Sequence, residues 1–303
     1  MRRNFTGRQL FSVGEEPRET GNQFVIRIHV CEKRKQILGK KRARSISELL
    51  PPGFLLICLM EIIVQPNAKA ASELAAKIIS DTLRAKPNLV LGLATGRTME
   101  PVYASLVKKH RAGDLNFSKC RSFNLDEYVG LAADDIHSFR HFMNHHLFLR
   151  VNIDLRNTHL PNGAAKNLKA ECANYERLIA GCGGIDLQLL GVGMNGHIGF
   201  NEPRSAFDSR TKIQRLSAMT LRQNRELFLR ASQMPRRAIT MGLGTIFDAR
   251  KCLLLVTGAD KAEIAARAIE GPVTRAIPAS VLQRHPHCIA ILDEAAARRL
   301  ARG

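Results

Sequence analysis

Five short segments hold the side chains best suited to chemistry, and four of them directly follow or end an apolar run that reads as a β-strand. The longest is Gly191-Val192-Gly193-Met194-Asn195-Gly196-His197-Ile198-Gly199-Phe200-Asn201-Glu202-Pro203. Its glycines let backbone approach a ligand closely, and it presents His197 between Asn195 and Glu202. An imidazole titrates near neutrality, and a flanking amide and carboxylate can fix its tautomer and orientation, which suits proton transfer. Gly191, Gly193 and Gly196 also match the Gly-x-Gly-x-x-Gly spacing of dinucleotide loops. However, Gly199, Asn201 and Pro203 make a poor helix opening, and no acid lies about 20 residues downstream to hold a ribose.

The second segment is Phe123-Asn124-Leu125-Asp126-Glu127-Tyr128. An apolar strand has no structural need of adjacent acids at its carboxyl end. Asp126 there can serve as a general base, although a helix cap or a loop salt bridge would use the same residue types. In Ala94-Thr95-Gly96-Arg97-Thr98, glycine and hydroxyl residues between a strand and a helix offer free N–H groups to an anion. The spacing is not that of a nucleotide-binding P-loop, and an ordinary turn would look similar. Thr257-Gly258-Ala259-Asp260-Lys261 repeats the strand, loop, helix order. Lys261 is badly placed for the helix dipole unless an anion sits there too; otherwise it is a solvated lysine. Finally, His137, His141 and His145 recur every four residues, a spacing that can hold a metal. Phe139, Phe142, Met143, Leu147 and Phe148 around them favour a packing helix with a polar side. The signature of zinc nucleobase deaminases is absent.

Alternating elements must carry these segments. A strand is expected at 61–64, a helix at 67–83, a strand at 88–93 and a helix to about His110. Further strands are expected at 121–125, 185–192, 252–256 and 288–292, with a helix over 260–269 and an Ala/Arg-rich helix at the end. Apolar strands alternating with helices imply an α/β fold, a three-layer α/β/α arrangement around a mostly parallel, Rossmann-like sheet. Ligands bind such sheets at the carboxyl ends of the strands, where four of the five segments fall.

Composition narrows the classes. In 303 residues, 45% are apolar and 5% aromatic, with no Trp, enough for a buried core but too few aromatic faces for a single-strand nucleic-acid platform. Seven scattered cysteines with no Cys-x-x-Cys pair read as reduced thiols of a cytoplasmic protein. The net charge of +19 fits a dispersed basic surface or a small anionic substrate better than a nucleic-acid stripe, and no membrane span is expected.

Residues 1–59 carry 12 Lys/Arg against 5 Asp/Glu and include the clusters 33–35 and 40–42. They show no clear helical or strand period. The apolar run from Phe54 to Met60 is too short to cross a bilayer, and the acids argue against a transit peptide. Residues 1–59 are therefore expected to be a non-homologous or misassigned extension, with Met60 the true start and 60–303 the catalytic domain.

Taken together, Asn124-Leu125-Asp126-Glu127-Tyr128-Val129-Gly130-Leu131, Gly191 to Pro203, Ser209-Arg210-Thr211 and Gly242-Leu243-Gly244-Thr245 resemble the glucosamine-6-phosphate deaminase family, from Met60 to about Ala297. The resemblance implies conversion of glucosamine 6-phosphate and water to fructose 6-phosphate and ammonia, a hydrolase-class net reaction with an isomerase-type mechanism. It implies that His197 opens the ring, Glu202 and Asn195 orient it, and Asp126 moves the C2 proton to C1. Thr95, Gly96, Arg97, Thr98 and Lys261 would hold the phosphate. No metal or organic cofactor is implied, because the amino group itself leaves. The partner is a small amino-sugar phosphate, and a homo-oligomer is compatible with the sequence.

This chain departs from the family pattern in three places. Asn195 is Asp in some members. Asn224-Arg225-Glu226-Leu227-Phe228 stands where members often carry Asn-x-Arg-Phe-Phe, so the arginine is displaced by one and a phosphate contact from Arg225 is in doubt. Lys212 and Gln214 replace basic residues that bind an allosteric sugar phosphate in some members, so that regulation is not expected. The rival readings are a 6-phosphogluconolactonase-like hydrolase, against which Phe200-Asn201-Glu202-Pro203 speaks, a galactosamine-6-phosphate deaminase, and a non-catalytic sugar-phosphate sensor.

Overall fold

The computed structural model describes residues 60–228 and 234–301, together with the backbone of two N-terminal strands, β1 (Leu10–Ser12) and β2 (Phe24–Val30). The basic clusters at 33–35 and 40–42 and the apolar run before Met60 lie outside the described residues. The two strands correct the expectation of no strand period before Met60. Phe24-Val25-Ile26-Arg27-Ile28-His29-Val30 is rich in β-branched residues, which suit a pleated surface, and β2 pairs antiparallel with the edge of the main sheet.

The body begins with β3 (Glu61–Gln65) and α1 (Ala68–Ala85). Asn67 starts the helix: its side-chain oxygen accepts from the Ala70 N–H at 2.9 Å, satisfying one of the free donors of the first turn. β4 (Val90–Leu93) is buried throughout, and α2 (Glu100–Arg111) follows with Pro101 in its first turn and Lys108 to Arg111 in its last. That charge order suits the helix dipole. Next come β5 (Arg121–Asn124), β6 (Asp126–Tyr128), α3 (Phe139–His146), β7 (Thr158–His159), α4 (Leu168–Gly181) and β8 (Leu187–Leu190). The chain continues through β9 (Lys212–Arg215), α5 (Ala218–Asn224), β10 (Arg237–Thr240), α6 (Leu243–Phe247) and β11 (Cys252–Val256). It closes with α7 (Ala262–Ile269), β12 (Cys288–Asp293) and α8 (Glu294–Ala297).

The main sheet runs β1-β2-β3-β12-β11-β8-β4-β5-β7, and its strands from β3 to β7 are parallel. Helices flank this sheet in a three-layer α/β/α arrangement, as the alternating pattern predicts. A second, antiparallel sheet, β6-β10-β9, has no counterpart among the elements expected from sequence. It encloses a smaller core of Tyr128, Phe139, Phe200, Leu216, Phe228, Met234 and Ala238. Leu125 lies on the seam between the two sheets: its N–H donates to Leu93 at 3.0 Å, and its carbonyl accepts from Met241 at 2.7 Å.

The predicted strands over 88–93 and 185–192 are shorter than expected. Leu89 N–H closes a turn onto Lys86, and Gly191 already belongs to the loop beyond β8. The histidine-bearing helix begins only at Phe139, which leaves His137 outside it. Among the described residues no group of three or more His, Cys, Asp or Glu is placed to hold a metal. Instead His146 packs on Phe142, and His137 on Phe228.

Candidate active site

Four adjacent strands, β11-β8-β4-β5, deliver their carboxyl-end loops to one cavity of about 260 Å³. That is just below the roughly 300–1,000 Å³ of drug-sized ligand pockets, so it suits a sugar phosphate better than a dinucleotide. Its wall contains Thr95, Gly96, Arg97 and Thr98 from beyond β4, Asp126 from the start of β6 just beyond β5, His197 from beyond β8, and Lys261 from beyond β11. Seven of the nine site residues proposed from sequence therefore meet. The other two, Asn195 and Glu202, are not in the wall but stand behind His197.

These three side chains form a directed relay. Glu202 Oε1 accepts from the Thr220 hydroxyl at 2.6 Å and the Ser217 N–H at 2.9 Å, while Oε2 accepts from Asn195 Nδ2 at 2.7 Å. Burial works against ionisation of Glu202, yet these donors and the nearby imidazole together hold its pKa below the usual value. An ionised carboxylate only accepts, so the Asn195 amide must turn its NH₂ towards Glu202 and its oxygen towards His197. That oxygen lies 2.7 Å from His197 Nδ1. Nδ1 therefore carries the proton and donates, leaving Nε2 with a free lone pair. Burial pushes the His197 pKa down. The Glu202 charge opposes this and Lys261 reinforces it, so the ring is a neutral base at pH 7.

The loop accommodates this ring only because residue 193 is glycine. A Cβ there would lie 2.1 Å from His197 Cε1 and 2.3 Å from Nε2, far inside contact distance. Gly193→Ala is expected to leave the thermal unfolding curve close to wild type but to cut kcat by about a hundredfold, because the displaced imidazole loses its line to the ligand. Matched steady-state kinetics and calorimetry check this.

The two acids that open β6, just beyond β5, have opposite fates, set by the alternation of the extended chain. Glu127 is turned to the N-terminus of α3. Its carboxylate accepts from the N–H groups of Tyr128, Phe139 and Arg140 at 2.9–3.0 Å, the helix-cap reading of this segment. The Asp126 carboxyl faces the cavity and accepts no hydrogen bond among the described residues. It is 6% exposed. Burial, with a smaller contribution from Glu127, pushes its pKa up to about 8.

On the opposite side, Gly96 takes a left-handed φ of 107° at the entry to the 3-10 turn Arg97–Met99, a backbone conformation that favours glycine. The Arg97 guanidinium meets Glu226 at 2.8 Å. Lys261 makes no ion pair among the described residues, and burial lowers its pKa, with Asp260 opposing. Arg225 is not in the wall; it donates to the Phe228 carbonyl at 2.6 Å. Gln223, Asn224 and Phe139 also line the wall, and Ser217 and Thr220 support it; none of the five is among the site residues expected from sequence. Only Ser217, a helix-cap residue just ahead of α5, left a local signal.

The profile of the glucosamine-6-phosphate isomerases/6-phosphogluconolactonase family matches residues 65–290. The chain belongs to this family. Curated relatives agree. A glucosamine-6-phosphate deaminase of Shewanella woodyi is 46% identical over 242 residues, covering 80% of this chain and 92% of that protein. One of Rhodopirellula baltica is 48% identical over 244 residues, covering 80% and 97%. Among solved structures, a monomeric glucosamine-6-phosphate deaminase superposes with a TM-score of 0.78 at 40% identity, covering 79% of this chain and all of that one. Family members that share the fold at lower identity include a 6-phosphogluconolactonase of Trypanosoma cruzi, with a TM-score of 0.65 at 22% identity.

Proposed function

We propose that the chain is a glucosamine-6-phosphate deaminase. The observation that carries the reading is the pairing of two different bases across one cavity: the buried Asp126 carboxyl, without a hydrogen-bond partner among the described residues, and the neutral His197 backed by Asn195 and Glu202.

In this reading the loop from Thr95 to Thr98 and Lys261 hold the phosphate through backbone N–H groups, hydroxyls and two cations. His197 Nε2 takes the proton of the C1 hydroxyl and returns it to the ring oxygen as the C1–O5 bond breaks. Asp126, as carboxylate, then removes the C2 proton. The electron pair left at C2 forms the C1–C2 double bond of an enol-amine while the C1=O π pair moves onto the oxygen, which takes a proton from the substrate's own ammonium group, and Asp126 then returns its proton to C1. The nitrogen is now a C2 imine. Water adds to it, the C–N bond breaks, and ammonia and fructose 6-phosphate leave. One water is consumed, so the net change is a hydrolysis although the proton transfers are those of an isomerase.

A lactonase would need a single base to activate water, and the second, unpartnered acid would have no task. Relatives at 46–48% identity bear the deaminase name, which supports the same choice. We assign the reaction to the cytoplasm because the cysteines read as reduced thiols, and to residues 60–303 as the catalytic unit.

Ammonia and fructose 6-phosphate are to be measured from glucosamine 6-phosphate, with the full chain and with residues 60–303, in chelator. Equimolar products are expected from both. Release of neither, with hydrolysis of 6-phosphogluconolactone, would replace this reading with the lactonase.

A further inference from the structure

The cavity contains a cation that is already engaged. Arg97 belongs to the loop that offers N–H groups to an anion, yet its guanidinium is held by Glu226 at 2.8 Å. Glu226 lies in the 3-10 turn Arg225–Leu227, immediately beyond Asn224 of the cavity wall, and Asn224 is itself tied to the Tyr128 hydroxyl at 3.0 Å. Arg225 is committed to the Phe228 carbonyl, so this turn brings a negative charge, not a positive one, to the mouth of the site.

We propose that Glu226 is a built-in competitor for the substrate's phosphate, holding Arg97 in the empty site and yielding it when a dianion arrives. The proposal rests on the phosphate-binding part of the deaminase reading. Both members of the pair are largely exposed, 73% and 74%, and an ion pair so exposed is weak and screened by salt. A phosphate monoester carries nearly two charges at pH 7 and offers a guanidinium two parallel acceptors. The exchange therefore favours phosphate. A singly charged ligand has less to offer in place of the carboxylate, so Glu226 selects for the dianion and sets the affinity.

The test is Glu226→Gln, which keeps length and removes charge. KM for glucosamine 6-phosphate and the inhibition constant of inorganic phosphate are expected to fall together, by about two- to fivefold, with little change in kcat. Both gains are expected to shrink at high salt and to vanish in an Arg97→Gln background. Unchanged constants, or a gain that persists without Arg97, would overturn the proposal while leaving the deaminase reading intact. If the wild-type chain turns over no glucosamine 6-phosphate, that reading fails by itself. Titration of inorganic phosphate into wild type and Glu226→Gln by calorimetry then still decides the role of Glu226.

Discussion

Replacing Asp126 with asparagine is expected to abolish deamination and at the same time make the protein harder to unfold. The first half follows from role: an amide cannot take the C2 proton, and loss of a positioned base typically costs 10²- to 10⁴-fold. The second half follows from linkage. The Asp126 carboxyl is buried without a hydrogen-bond partner among the described residues, and its pKa is raised to about 8 in the fold, against an ordinary aspartate value of about 3.9 in the unfolded chain. Between these values the native state binds the extra proton, so this group's contribution to stability falls as pH rises through the window and levels off above it. One pKa unit corresponds to about 1.36 kcal/mol, so the penalty at pH 9 is on the order of a few kcal/mol. At about 2–4 °C per kcal/mol, Asp126→Asn is expected to raise Tm by roughly 5 °C or more at pH 9, with the gap closing as pH falls towards 4. The same titration should appear in wild-type kcat/KM, which is expected to rise with pH towards about 8. Near-normal turnover of the variant would remove Asp126 from the role of base, and an unchanged Tm at pH 9 would mean the carboxylate is better solvated than its surroundings imply.

His197→Gln has the second-largest expected effect, and its value lies in where the loss falls. Glutamine can occupy the space but offers no basic nitrogen to accept the C1 hydroxyl proton. Turnover of the ring-closed aldose is expected to fall by about 10²- to 10⁴-fold. Exchange of the C1 proton of fructose 6-phosphate with solvent, in the presence of ammonium, draws on the open-chain fraction and is expected to fall much less. Equal losses in both assays would argue that His197 acts after ring opening, not in it. Asp126→Asn, by contrast, is expected to lose both.

Much of the site was legible because parallel strands place their functional loops at one end. Once the apolar runs before Ala94, Asp126, Gly191 and Thr257 are read as neighbours in such a sheet, their loops must converge. Local sequence could not say which of Asp126 and Glu127 faces the cavity. Alternation guarantees that they point apart, but the choice of side is made by β10, which pairs with β6 from far along the chain. The pairing of Arg97 with Glu226 is likewise invisible locally, because nothing near either residue specifies the other. The short strands β9 and β10 carry too few residues for a period to emerge. The strand over Phe24–Val30 did carry a signal, but the basic clusters on its carboxyl side obscured it.

The seam at Leu125 bears on how the protein acquires its activity. This residue is bonded to Leu93 of one sheet and to Met241 beside the other, and the base is the next residue along. Contacts between segments so distant in sequence are slow to form, because loop closure must precede any gain from the contact. During refolding the helices can form early from local contacts, whereas the geometry around Asp126 waits for the return of β10, just as the main sheet waits for β12 to reach β3. Deaminase activity should therefore be among the last properties to reappear, after the recovery of secondary structure.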